Sequence, residues 1–198
     1  LTVTVQDING NVIPNANIQL VHPLITYQGE SNGIGEEFFS MYYEEIHDVI
    51  VGKWGYVTQC TDLFLEASTS TLTVTLNTGY YDDFTFDFGW TISGDAETGE
   101  WVRGIPNATT NTVMGNDSFE DCGNMAYVTG NSDNMDSDFD DVDNGVTILT
   151  SPVMDLSSYA NPGIIWDYSF FCNHGPENID DTLKFILSNG LDQDIIFQ

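Results

Sequence analysis

An all-β fold is what this sequence predicts, and three observations predict it. Apolar residues alternate with polar ones at period two, turn-forming pairs punctuate the alternation, and aromatic residues make up 13% of the chain. Leu1, Val3 and Val5 alternate with Thr2, Thr4 and Gln6, the pattern of a half-buried strand. Asn9-Gly10 follows, a pair suited to the positive backbone angles of a tight turn. The next strand is expected from Val12, edge-like or bulged because Pro14 interrupts it. Ile18 and Leu20 continue that rhythm. Between residues 36 and 48, Phe38, Tyr42 and Ile46 fall at helical spacing. Their aromatic character and the bracketing Gly33, Gly35 and Gly52 nevertheless favour strand. Leu72, Val74 and Leu76 alternate with threonines as another strand. Asn77-Thr78-Gly79 is a turn-forming trio and marks a boundary, giving segments 1–78 and 79–198. In the second segment Ile148-Leu149, Ile164-Ile165-Trp166 and residues 183–187 read as strand cores, and 107–124 as polar loop. Trp90, Trp101 and Trp166 are expected in the core.

Charge is the most lopsided property. Three lysines and arginines face thirty-one aspartates and glutamates, for a formal charge of −28. Phosphate recognition needs clustered Lys and Arg, so nucleic acid is excluded as a partner. An anionic membrane surface is disfavoured for the same reason, and no apolar stretch approaches the ~20 residues of a membrane span. Hydrophobic residues at 41% argue for a folded chain rather than a disordered acidic one. Self-repulsion of this size opposes compaction unless cations from the medium offset it. Arg103, the lone arginine, is expected in an ion pair with a carboxylate.

Residues 133–143 (DNMDSDFDDVD) are nearly an acidic run. Asp138, Asp140, Asp141 and Asp143, with Asn144 and Gly145, offer dense oxygen ligands on a turn-prone loop, which suits Ca²⁺. The order lacks the glycine at position six and the glutamate at twelve of an EF-hand. A solvated acidic loop is the plainer alternative. His22, His47 and His174 are scattered in the sequence and expected to be surface or packing residues, with no zinc motif among them. No nucleophile-plus-base constellation stands out, so an enzyme active site is not expected within these residues. Cys60, Cys122 and Cys172 show no CxxC spacing. An odd count allows one disulfide, with Cys122–Cys172 the favoured pairing, or three buried thiols. Asn107 and Asn116 head N-glycosylation triplets, which matter only in a eukaryotic source.

Two stretches resemble known families. Residues 5–18, with Asp7, Gly10, Pro14, Ala16 and Ile18 in register, and Val51-Gly52-Lys53-Trp54-Gly55-Tyr56 farther on resemble the carboxypeptidase regulatory-like family. Asn32-Gly33-Ile34-Gly35 stands where that family has a different hairpin motif. The resemblance implies a small Greek-key, transthyretin-like β-sandwich over 1–78 with no catalytic residues. Asp82-Asp83-Phe84, Gly89-Trp90-Thr91 and Glu100-Trp101-Val102-Arg103-Gly104 are similar to the MAM-like jelly-roll module of secreted Bacteroidetes-type multidomain proteins. So are Tyr127 to Asn131, Asp140 to Gly145, Leu149 to Pro152 and Asp180-Asp181-Thr182. That module accompanies type IX secretion. It implies a jelly-roll β-sandwich over 79–198, truncated at its C-terminal end. It also implies that Asp83 and Asp180 or Asp181 join the loop carboxylates around Ca²⁺.

The expectation is thus a calcium-binding, acidic piece of a larger secreted or cell-surface protein that serves as spacer or cell-adhesion scaffold. Its partners would be flanking domains of the same polypeptide, surface glycans or proteins, or a second copy. The alternatives are an accessory region of a secreted metalloprotease and a carbohydrate-binding module presenting Trp54, Tyr80, Tyr81 and Trp101 to sugar rings.

Overall fold

The computed structural model describes residues 1–41, 44–109, 115–119, 121–133, 140–172 and 181–197. The chain is all-β, as its alternation predicts. Seven strands in the first part form two facing sheets. Strand β1 (Thr2–Asp7) lies between β4 (Glu36–Phe38), antiparallel, and β7 (Thr71–Leu76), parallel. The second sheet is antiparallel throughout, in the order β3 (Ile25–Glu30), β2 (Asn17–His22), β5 (Glu45–Gly52) and β6 (Gln59–Leu65).

Each sheet turns alternate side chains inward because successive Cβ atoms point to opposite faces. Val3 and Val5 of β1 and Leu76 of β7 meet Ile18 and Leu20 of β2, Val49 and Val51 of β5 and Leu65 of β6 in one core. Strand occupies both ends of the ambiguous 36–48 stretch; Tyr42 and Tyr43 lie outside the described residues. The strand expected from Val12 begins instead at Asn17. Val12 makes only an isolated bridge to Gln6, and Asn15 takes φ 53°. Pro14, which has no N–H to give a ladder, keeps the intervening residues in a turn.

One buried polar group closes that turn. Ser31 is 1% exposed. Its hydroxyl donates to Ile13 O at 2.7 Å and accepts from Ala16 N at 2.9 Å. Replacing Ser31 with Ala leaves both backbone groups without their partner, an expected loss of about 1–3 kcal/mol in urea unfolding. An unchanged midpoint would show the two groups reach other partners.

The second part pairs strands two at a time. Strand β8 (Thr91–Gly94) pairs β11 (Thr147–Thr150), β9 (Trp101–Gly104) pairs β10 (Ala126–Thr129), and β12 (Phe185–Ser188) pairs β13 (Gln193–Phe197). Trp101 joins the first two ladders, its indole Nε1 donating to Thr147 O at 3.3 Å. The expected strand at 164–166 is absent, and Ile165 is 96% exposed. Among the described residues no strand pairs with this run. Trp166 instead stacks on Phe185, ring centroids 4.5 Å apart. Trp90, Trp101 and Trp166 are all half-buried rather than enclosed.

The two parts are joined by side-chain contacts. Trp54 Nε1 donates to Val153 O at 2.9 Å across the boundary, and within the second part Asp155 N donates to the hydroxyl of Tyr80, the residue packed on Trp54, at 2.7 Å. A disulfide joins Cys60 on β6 to Cys122. This corrects the expected Cys122–Cys172 pairing. The folded chain returns residue 122 to the β6 edge, with 5.6 Å between the Cα atoms, inside bridging range. Cys172 donates its thiol to Asp181 Oδ2 at 3.1 Å.

Candidate metal centre

The loss of cations as partners is visible residue by residue. Lys53 Nζ donates to the Pro14 carbonyl at 2.6 Å, and Arg103 Nη1 donates to the Phe84 carbonyl at 2.7 Å. The expected Arg103–carboxylate pair is therefore replaced by backbone capping. Among the described residues the one basic nitrogen near a carboxylate is His22 Nε2, 4.0 Å from Glu45 Oε2, an ion pair only when the imidazole carries a proton. His22 and His47, far apart in sequence, come together on adjacent strands β2 and β5, with rings 5.2 Å apart and His47 buried. They pack, as expected of these histidines.

Where β7 leaves the sandwich, residues 81–86 (YDDFTF) carry the densest buried polar chemistry. Asp82 and Asp83 each fold back on the backbone two residues ahead, a local habit of aspartate in turns. Asp82 Oδ1 accepts from Phe84 N at 2.8 Å and Oδ2 from Trp90 Nε1 at 2.7 Å. Asp83, 3% exposed, accepts from Thr85 N at 3.0 Å through Oδ1 and from Cys122 N at 3.2 Å through Oδ2. The Cys122 contact holds residues 121–125 against Asp83. Asp117, Asp121 and, through Ser118, Asp167 lie near it. Asp117 Oδ1 accepts from Ser118 N at 2.8 Å, and Ser118 Oγ reaches Asp167 Oδ2 at 3.1 Å. Asp117, Ser118 and Asp121 line a cavity of about 330 Å³ together with Asn116, Gly123 and Asn124.

The electrostatics of this crowd are unfavourable. Burial pushes Asp121 up to about 6, and the charges of Asp117 and Asp83 add to the shift. Burial likewise raises Asp117, opposed by the Ser118 amide and reinforced by Asp83. Tyr81 is driven up to about 12 by burial and then by Asp83, Asp121, Asp117 and Asp167. Burial takes Asp82 to about 6 despite its bonds to Trp90 and Phe84. Two carboxylate oxygens in the cluster, Asp117 Oδ2 and Asp121 Oδ1, are buried without a hydrogen-bond partner, and so is Thr85 Oγ1. A buried anionic oxygen without a partner is costly, and a cation is the species that relieves it.

The donor set is all oxygen: carboxylates, with asparagines in the same cavity wall. That fits a hard cation tolerant of irregular geometry, Ca²⁺ above zinc or copper. Among the described residues no three His, Cys, Asp or Glu groups already converge as a finished ligand set. An arriving ion would have to draw these carboxylates together.

Of the residues expected at the metal, Asp83 lies in this cluster. Asp138 and Asp180 lie outside the described residues. The carboxylate of Asp140 binds the Asn131 and Ser132 amides at 3.0 and 2.9 Å and the Ser132 hydroxyl at 3.0 Å. Gly130, at φ 68°, makes room for it, since a Cβ there would fall 2.3 Å from Asp140 Oδ1. Asp143 Oδ2 accepts from Thr98 Oγ1 at 3.3 Å, and Asp141 gives Thr98 its carbonyl at 2.9 Å. Asp181 accepts from Cys172, whose thiol is raised first by that hydrogen bond, then by burial and the charges of Asp181 and Asp141. The described loop acids thus bond to adjacent loops, while Asp83 joins partners that sequence reading left in a polar loop. Asn116-Asp117-Ser118 was legible only as a glycosylation triplet. The neighbouring Asp121-Cys122 was the one local hint, an acid beside a cross-linkable residue.

The aromatic residues proposed for sugar stacking occupy three places. Trp54 and Tyr80 adjoin, rings 5.2 Å apart, with their polar tips engaged by the 153–155 segment. Tyr81 stands in the acidic cluster, and Trp101 against Thr147. No family model matches the chain, and no curated protein does.

Proposed function

We propose that this chain is a non-catalytic, calcium-stabilised module of a secreted or cell-surface protein, acting as spacer or adhesion scaffold beside flanking domains. The observation that carries the reading is the pair of buried, unpartnered oxygens on Asp117 and Asp121, set beside Asp83 in a chain of charge −28. Calcium would bind there through Asp83, Asp117 and Asp121, completed by amide oxygens and water. The Cys60–Cys122 disulfide fits an oxidising compartment. The likeness of 1–78 to carboxypeptidase regulatory-like domains and of 79–198 to MAM-like jelly rolls supports the same role, since both are accessory modules.

The test is calorimetric titration of CaCl2 into the wild-type chain and into Asp121→Asn. The variant removes one anionic ligand and one source of repulsion together. Calcium affinity should fall at least about tenfold, equivalent to ~1.4 kcal/mol. Melting in EDTA should stay level or rise, because the neutral amide no longer repels Asp117 and Asp83. A variant that binds calcium as tightly as wild type would remove this cluster from consideration.

A further inference from the structure

Asp117 and Asp121 lie on a segment that carries no strand among its described residues. What ties it to the sandwich is covalent, for Cys122, directly after Asp121, is bonded to Cys60 on β6. The amide of the same residue holds Asp83 Oδ2 at 3.2 Å. The next residue, Gly123, abuts the Thr85 hydroxyl so closely that a Cβ there would fall 2.2 Å from Oγ1. Thr85 is only 9% exposed, and that hydroxyl oxygen has no hydrogen-bond partner. Residues 121–123 therefore supply a carboxylate, an anchor and a wall of one cavity, and a single S–S bond secures all three.

We infer that the Cys60–Cys122 disulfide sets the cation affinity of the Asp83–Asp117–Asp121 cluster, so that thiol–disulfide exchange switches the site between a binding and a non-binding form. This rests on the cation reading above and adds its regulation. Cys60 is exposed on the edge strand, open to attack. A thiolate of a dithiol reductant attacks one sulfur, breaking the Cys60–Cys122 bond and forming a mixed disulfide. The second thiolate of the reductant then resolves it. Two electrons and two protons pass to the cysteines, which end as thiols, and the reductant ends as a cyclic disulfide. With the bond gone, the mutual repulsion of Asp83, Asp117 and Asp121 acts on a segment no longer tethered to β6. The ligands separate and the ion leaves. Coupling between two such equilibria is reciprocal, so calcium must oppose reduction by the same factor that reduction weakens calcium.

The experiment uses the whole 198-residue chain. Calcium affinity is measured by calorimetry on the oxidised protein and on protein held in excess dithiothreitol. In parallel, the disulfide fraction is followed by alkylation and mass measurement across dithiothreitol redox buffers, with and without saturating CaCl2. Affinity should drop by a factor of about ten or more on reduction. Calcium should shift the half-reduction point by that same factor in wild type, and by clearly less in Asp121→Asn at the same calcium concentration. Equal affinity in both redox forms overturns the coupling while leaving the calcium reading intact. Failure of the oxidised chain to bind calcium removes both. Far-UV circular dichroism guards the interpretation: loss of the sandwich signal on reduction would mean global unfolding, which also overturns a local switch.

Discussion

Calcium should raise the melting temperature by roughly 5–10 °C at pH 7.5 and by far less at pH 5. The first figure follows from ligand at about a hundred times its Kd, worth ~2.7 kcal/mol, and a response of about 2–4 °C per kcal/mol in a chain of this size. The pH dependence follows from the crowded acids. Asp82 and Asp121 sit at about 6 in the folded chain, against 3.8 ordinarily. Between those values the folded state keeps protons that the unfolded state has released, so stability falls as pH rises through the window. Asp117, raised by burial, acts in the same sense. So does Asp48, which burial and the facing Asp62 of β6 both raise. Opposing them, Asp7 is lowered by its bonds to Asn11, and Asp155 by those to Ser157. Their contributions vanish as pH falls below the ordinary carboxylate range. In EDTA the chain should therefore melt higher near pH 5 than at pH 7.5, with decline resuming at lower pH. Protons and calcium relieve the same repulsion, so each leaves less for the other to do. Scanning calorimetry at the two pH values, with EDTA and with CaCl2, decides it. An equal calcium increment at both would separate the ion from these carboxylates.

Reducing the disulfide should cost stability on a comparable scale. Cys60 and Cys122 are 62 residues apart in sequence. Closing a loop of that length in the unfolded chain is worth up to about 4 kcal/mol by the chain-entropy argument, and measured bridges usually deliver about 2–4 kcal/mol. Urea unfolding in EDTA, with and without dithiothreitol, isolates this contribution from any bound ion. An unfolding free energy that stays within about 0.5 kcal/mol of its oxidised value would mean that the bridge contributes no net stability. The sandwich core contains no cysteine, so far-UV circular dichroism of the reduced chain should still report folded β-structure before the transition.

The strands of the first part could be read almost directly. Val3, Val5, Ile18, Leu20 and Leu76 announce their buried face by alternation alone, because side-chain direction along a strand is a local consequence of backbone geometry. The error at Val12 came from extending that alternation across Pro14, where the ladder cannot form. The error at 164–166 had the opposite origin. An apolar run is strand-like by composition, but a strand needs partners on its edges, and no local pattern reveals whether the chain returns to supply them. Asp83 entered the candidate set only through the MAM-like resemblance of residues 82–84. Asp117 and Asp121 could not be picked out, since in sequence they are two acids among thirty-one.

What the residues determined unaided was the β character, the inward faces of β1, β2 and β7, and a charge imbalance that no set of three basic side chains could offset. These are properties of near neighbours or of simple composition. Tertiary structure alone decided that Cys122 meets Cys60, that Arg103 caps backbone carbonyls, and that four acids from three stretches of chain share one neighbourhood. Each of those depends on where a distant stretch of chain comes to lie. That is set by the packing of two sheets and one covalent tie, and it leaves no periodic trace in the order of the amino acids.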